Sequence, residues 1–116
     1  MANIAIIGLV GKSMFFDVPR FHTDGETITA CGYYEEWGGK GFNQAIAAAR
    51  QDAEVAFLGA CSTDDKRPIE AFCRNEGVMA RMCVKSRPSA CAAILTDGTG
   101  ETRVTVHPGA ELVAKD

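Results

Sequence analysis

The stretch that most constrains this chain is Gly38-Gly39-Lys40-Gly41, which runs straight into Phe42 through Gln51, a segment rich in alanine. Alanine is the best helix former and glycine among the worst, so a helix over residues 42–51 begins where the glycines stop. Glycines at a helix start let backbone come close to a neighbour, and they leave amide N–H groups without intrahelical partners. Lys40 adds a positive charge, and the Asn43 amide can both donate and accept, which is equipment for gripping hydroxyl groups. A tight connection and a ligand-binding turn are both compatible with this composition.

The rest of the chain places this junction in an alternating α/β order. Ile4–Ile7 is a continuous apolar run ended by Gly8, as expected of a strand buried on both faces of a mainly parallel sheet. Between Lys12 and Trp37 short β-prone pieces are broken by Pro19, Asp24-Gly25 and Gly32, which predicts a small antiparallel excursion. Glu54–Gly59 reads as a second core strand, and Pro68–Glu76 reads as a second helix closed by Gly77. Val78–Lys85 and Ala90–Thr96 are β-prone, and Asp97-Gly98-Thr99-Gly100 turns the chain into Thr102–Val106 as a hairpin.

Several classes of function are set aside at this stage. At 116 residues the chain holds one domain or part of one. Net charge is -3 and the basic residues are scattered, so the electrostatic footprint of a nucleic-acid binder is missing. The apolar start is too short to cross a bilayer and lacks a preceding Lys or Arg, so no membrane partner is expected. Five widely spaced cysteines with no Cys-x-x-Cys pair predict free thiols in a reducing cytoplasm. His22 and His107 stand apart with no ligand pattern around them, so no metal site is expected. Gly8-Leu-Val-Gly-Lys-Ser13 looks like a phosphate-binding loop, but the first glycine such a loop needs would fall at Ile6, inside the strand. Met14 through Pro19 is also a poor helix opening.

The Gly-Gly-Lys-Gly-x-Asn-Gln-Ala string at residues 38–45 resembles the N-terminal signature of ribokinase and its PfkB relatives. Phe21, Thr23 and Gly25-Glu26-Thr27 resemble the segment that precedes that signature, and Val55–Gly59, Thr63-Asp64, Asn75–Val78, Ala93–Leu95 and His107–Ala110 follow in family order. The resemblance implies a partial ribokinase-like α/β fold: Rossmann-like parallel core strands and helices with a small antiparallel β-sheet lid. The lid strands are expected from Ser13–Tyr34 and Met79–Ile94. It further implies that residues 1–116 are the substrate-binding and lid part of the domain, with Gly38 and Gly39 as a hinge and Gly39, Lys40 and Asn43 contacting a sugar or polyol. A lid of this kind implies a homo-oligomer formed through its sheet.

The departures from the family pattern matter as much. The turn after the first strand carries Gly11 and Ser13 where ribokinase has an asparagine and an aspartate that grip the sugar, which puts ribose itself in doubt and leaves another polyol, a nucleoside or a sugar acid open. Asp52 and Ser62 stand where the family has glycines. ATP and Mg²⁺ are implied for a complete family member, but the Gly-Ala-Gly-Asp region that would carry phosphoryl transfer does not occur; the nearest strings are Gly59-Ala-Cys and Gly109-Ala-Glu-Leu. The chain alone is therefore expected to bind neither cofactor and to be catalytically incompetent. Exposed core edges should leave it marginal, oligomeric or held by a partner. The other reading is a non-catalytic polyol-binding or protein-interaction module on the same fold.

Overall fold

A computed structural model describes residues 3–116, with strands β1 (Asn3–Ile7), β2 (Gly11–Asp17), β3 (Gly32–Gly38), β4 (Glu54–Cys61), β5 (Val78–Val84), β6 (Ala90–Thr96) and β7 (Thr102–His107). Helix α1 (Lys40–Arg50) lies between β3 and β4, and α2 (Lys66–Asn75) between β4 and β5. The strands make two sheets, a core of order β1-β4-β5 and a lid of order β3-β2-β6-β7.

All core pairs are parallel, with Ile4 opposite Val55 and Val55 opposite Val78. Successive strands add in one direction, and right-handed crossovers then put both helices on the same face. Phe42 and Ile46 of α1, Ile69 and Cys73 of α2, and Val55 and Phe57 of β4 accordingly share one buried cluster. The Phe42 and Phe57 rings meet edge to face, centroids 5.7 Å apart. Burial pushes the Cys61 and Cys73 thiols up to about 11, so both remain protonated and serve as small apolar groups.

The opposite face of the core sheet carries no helix among the described residues, and only its Leu58–Ala60 end is covered. Strand alternation sends Ala5, Ile7, Ala56, Leu58 and Met79 to that side, and Ile7 is 70% and Met79 74% exposed. The expectation that β1 is buried on both faces is therefore corrected. It is an edge strand whose helix-facing side is partly covered, with Ile6 packed against the core cluster and Ile4 still exposed.

Gly39 makes the entry to α1 at φ 127°, so Lys40 and Gly41 are already helical and the helix starts two residues before Phe42. The exit explains a departure from the family pattern: Asp52 has φ 65°, the left-handed region where glycine is unstrained and Asp is among the tolerated alternatives. Ser62 is in extended backbone, φ -72°, and needs no glycine; its hydroxyl bonds the Asp65 carboxylate at 3.2 Å. α2 begins at Lys66 rather than Pro68, since a proline in the first turn removes an N–H that has no intrahelical partner. Gly77 closes it at φ 80°.

The lid departs from expectation in two ways. Its outer pairs, β2 with β3 and β6 with β7, are antiparallel, but the central pair β2 with β6 is parallel, so the sheet is mixed. Both strands leave the same end of the parallel core, β2 after β1 and β6 after β5, and so must run in one direction. The segment Met79–Val84 is core rather than lid, because it pairs with β4 as soon as α2 has crossed. Gly11–Asp17 is a strand with no helix after it, so the phosphate-loop geometry is absent there.

The loop between β2 and β3 is pinned. The Arg20 guanidinium donates to both Glu26 carboxylate oxygens, at 2.7 and 2.5 Å, and the Thr23 amide donates to Glu26 at 3.0 Å. These bonds, that of Arg20 first, hold Glu26 down to about 2. Phe21 lies beneath the Arg103 guanidinium of β7, 4.2 Å from its ring centre, which lays the loop over one lid face.

Candidate functional site

The start of α1 and the start of β2 meet at the seam between the sheets, and glycines make the meeting possible. Gly8 and Gly41 pack backbone to backbone; a Cβ on either would stand 3.1 Å from the other's Cα. A Cβ on Gly39 would sit 2.2 Å from the Leu9 carbonyl oxygen, and one on Gly38 would sit 2.6 Å from the Ser13 hydroxyl oxygen. Gly11 faces Gly38 on one side and Ala90 on the other, where a Cβ would collide with the Ala90 carbonyl at 2.0 Å. Close packing thus accounts for these glycines without a ligand.

The same packing leaves a hollow of about 310 Å³ at the seam. Gly11, Ser13, Gly38, Gly39 and Lys40 all line it, which brings five of the six expected residues to one place. The first intrahelical bond runs from the Asn43 amide to the Gly39 carbonyl at 2.8 Å, so the amides of Lys40, Gly41 and Phe42 precede the helix ladder. Lys40 is exposed and forms no ion pair among the described residues. A partly negative or hydroxyl-rich ligand is the chemistry that amides at a helix start and an unpaired ammonium accept.

Asn43 is the exception. Its side chain lies on the exposed surface of α1 and lines a neighbouring hollow of about 800 Å³ together with Trp37 and Arg50. Lys12 borders both hollows, but its ammonium lies 3.4 Å from the Glu35 carboxylate and over the Trp37 ring, on the side away from Ser13. The Tyr33 hydroxyl, then Lys12, hold Glu35 below the usual carboxylate range.

Ala90, Ala92 and Val106 also wall the smaller hollow, and reading the sequence did not single them out. Ala90 and Ala92 arrive through the parallel pairing of β2 with β6, a contact between segments about 80 residues apart that no local pattern announces, and Val106 follows on β7 opposite Ala92. The residues lining the hollow include no Asp, Glu or His; the polar side chains among them are those of Lys12, Ser13, Lys40 and Cys91. Among the described residues no three acidic, His or Cys side chains converge as metal ligands.

Comparison with known proteins agrees with this architecture. Ribokinase from Schizosaccharomyces pombe is 31% identical over 120 aligned residues, covering 95% of this chain and 37% of that protein. The solved structure of ribokinase from Cryptococcus neoformans var. grubii serotype A, in complex with ADP, superposes with a TM-score of 0.84 at 32% identity, over 94% of this chain and 34% of that one. That of ribokinase from Giardia lamblia superposes with a TM-score of 0.86 at 31% identity, with the same coverage. The chain spans little more than a third of the length of these relatives. Residues 1–116 match the family described as pfkB family carbohydrate kinase, and with this fold and this helix-start signature the chain belongs to that family.

Proposed function

We propose that this chain is the substrate-binding and lid part of a PfkB-type carbohydrate kinase, which when complete transfers the ATP γ-phosphate to a hydroxyl of a sugar or related polyol. The observation that carries the reading is the convergence of Gly11, Ser13, Gly38, Gly39 and Lys40 on one hollow beneath the lid. In it, the α1 amides and Lys40 hold ligand oxygens, Ser13 offers a hydroxyl, and Gly38 and Gly39 admit backbone contact. Asn43 belongs to this set by resemblance to the family signature, and its place one hollow away makes it the residue to test first. ATP and Mg²⁺ act in the complete enzyme through residues other than those described. The chain alone is expected to hydrolyse no ATP in a sugar-dependent way.

The free edges β3 and β7 are the lid surfaces suited to pairing with a second copy, and five free thiols fit a cytoplasmic setting. The bare core face supports a second reading, a non-catalytic module that binds a polyol or another protein chain.

Titration calorimetry of the purified chain with a panel of pentoses, hexoses and nucleosides tests the site. Lys40→Ala should weaken binding of whichever compound binds by about 1–3 kcal/mol, the usual effect of deleting a charge-assisted hydrogen bond. Asn43→Ala with unchanged affinity would remove Asn43 from the site. A coupled assay showing sugar-dependent ATP turnover by the chain would overturn its catalytic incompetence.

A further inference from the structure

One side chain ties the lid to the core. Trp37 of β3 packs against the buried core cluster, and among the described residues it is the only side chain of the four lid strands that does so. Trp37 pairs with Lys12, and Glu36 with Ser13, so alternation turns the indole to the lid face opposite Ser13. It therefore lies outside the seam hollow and walls the larger one, together with Phe42, Ile46 and Ala47 of α1 and Phe72 of α2. The lid holds the indole from its own side too: the Lys12 ammonium stands 5.7 Å from the ring centre and 3.4 Å from the Glu35 carboxylate. Lys12 and Glu35 are themselves lid residues, so this trio travels with the lid as one piece. The contact with the core cluster does not.

The lid stands between two hollows, each walled on its far side by α1: by Lys40 and Gly41 on the Ser13 face, and by Phe42, Ile46 and Ala47 on the Trp37 face. A turn of the lid that narrows one hollow widens the other. Resting on the reading of the seam hollow as a ligand site, we infer that Trp37 is a latch. It holds the lid back from the seam hollow, and a ligand there must draw the indole off the core cluster before the lid closes on it. Trp37 is thus a positioning residue: it touches no ligand and sets affinity through the angle of the lid. Unlatching returns apolar surface to water, and affinity is lowered by the fraction of molecules in which the latch is open.

Residual dipolar couplings of the purified chain report the orientation of lid amides relative to core amides, and so test the latch without a ligand. Lid and core should share one alignment in the wild type. In Trp37→Ala the lid should align more weakly than the core and tilt toward the start of α1, and Trp37→Phe should restore the wild-type pattern. A lid that keeps its wild-type orientation in Trp37→Ala would overturn the inference. Trp37→Leu, which keeps part of the apolar contact, takes its place with the same signs if Trp37→Ala does not fold. Trp37 is the one tryptophan of the chain, so its emission reads the same event in the unaltered protein. On saturation with adenosine or D-ribose, acrylamide should quench it about twofold more effectively, and Trp37→Ala should bind the same compound about threefold more tightly, with Trp37→Phe near wild type. Unchanged quenching at saturation, or equal or weaker binding by Trp37→Ala, also overturns the latch. If neither compound binds any variant, the reading of the hollow as their site fails, and the couplings alone decide the latch.

Discussion

The two faces of the core sheet share the same three strands and have opposite fates. On one, Val55, Phe57 and Val78 are buried under α1 and α2; on the other, Ile7 and Met79 stand mostly in solvent. Strand propensity is similar on both sides, so it is the crossovers that decide. Two right-handed connections running the same way across a parallel sheet can cover only one side. Parallel sheets are ordinarily covered on both. The bare side is thus explained by topology, not by polar residues placed there to face water.

The comparison can be broken most severely on the covered side. Phe57→Ala should cost about 3–5 kcal/mol, read as a fall in the urea midpoint, because Phe42 and its neighbours cannot collapse into the gap. A cost below about 1 kcal/mol would mean that the helices are not firmly seated.

Next come the two ends of α1, the covering helix. Gly39→Ala should cost about 1–3 kcal/mol from its backbone conformation, and more if the Leu9 carbonyl cannot move away from the new Cβ. Asp52→Gly should stabilise by about 0.5–1 kcal/mol, since the left-handed turn no longer strains a side chain. A destabilised Asp52→Gly would show that the aspartate does something there besides fit the turn.

On the bare side, Met79→Ser should shift stability by no more than about 0.5 kcal/mol, as for an exposed position, while lowering any tendency to self-associate. A loss comparable to that of Phe57→Ala would show that this face is buried in solution. The smallest effect belongs to neither face. Glu26 has a carboxyl held below its unfolded value, so its contribution is fully present above about pH 4–5 and is lost as pH falls toward 2. Carbon NMR titration should show the Glu26 carboxyl protonating near that lower value, with the Phe21–Arg103 contact loosening in step.

What the sequence discloses follows the range of the interactions. Element order, the α1 junction and the Asp97–Gly100 turn rest on contacts within a few residues, and the Asp97 carboxylate shows why: it accepts the Thr99 amide at 2.9 Å and the Glu101 amide at 3.1 Å. Convergence of five candidate residues was legible because three of them, Gly38, Gly39 and Lys40, belong to a signature whose glycines are needed for close approach. The exposure of β1, the core placement of Met79–Val84 and the parallel pair β2-β6 were not, because each depends on which strand lies beside which. The apolar composition of Ile4–Ile7 is the same whether one face is covered or two. Asn43 illustrates a further limit. Residues three apart on a helix share a face, yet Asn43 and Lys40 line different hollows, so neighbours in a motif need not reach one cavity.

Gly38, Gly11 and Ala90 stand in one row across the lid, and beside that row the chain passes between the sheets three times: at Leu9-Val10, at Gly39 and just before Ala90. In mechanical terms this is a plate mounted on collinear pivots. The two sheets share no rungs, so a turn about the row leaves both ladders of hydrogen bonds intact and is opposed by the connections and by Trp37, which packs against the core cluster. Were the lid to turn about this row, the Ser13 face would sweep toward or away from the start of α1.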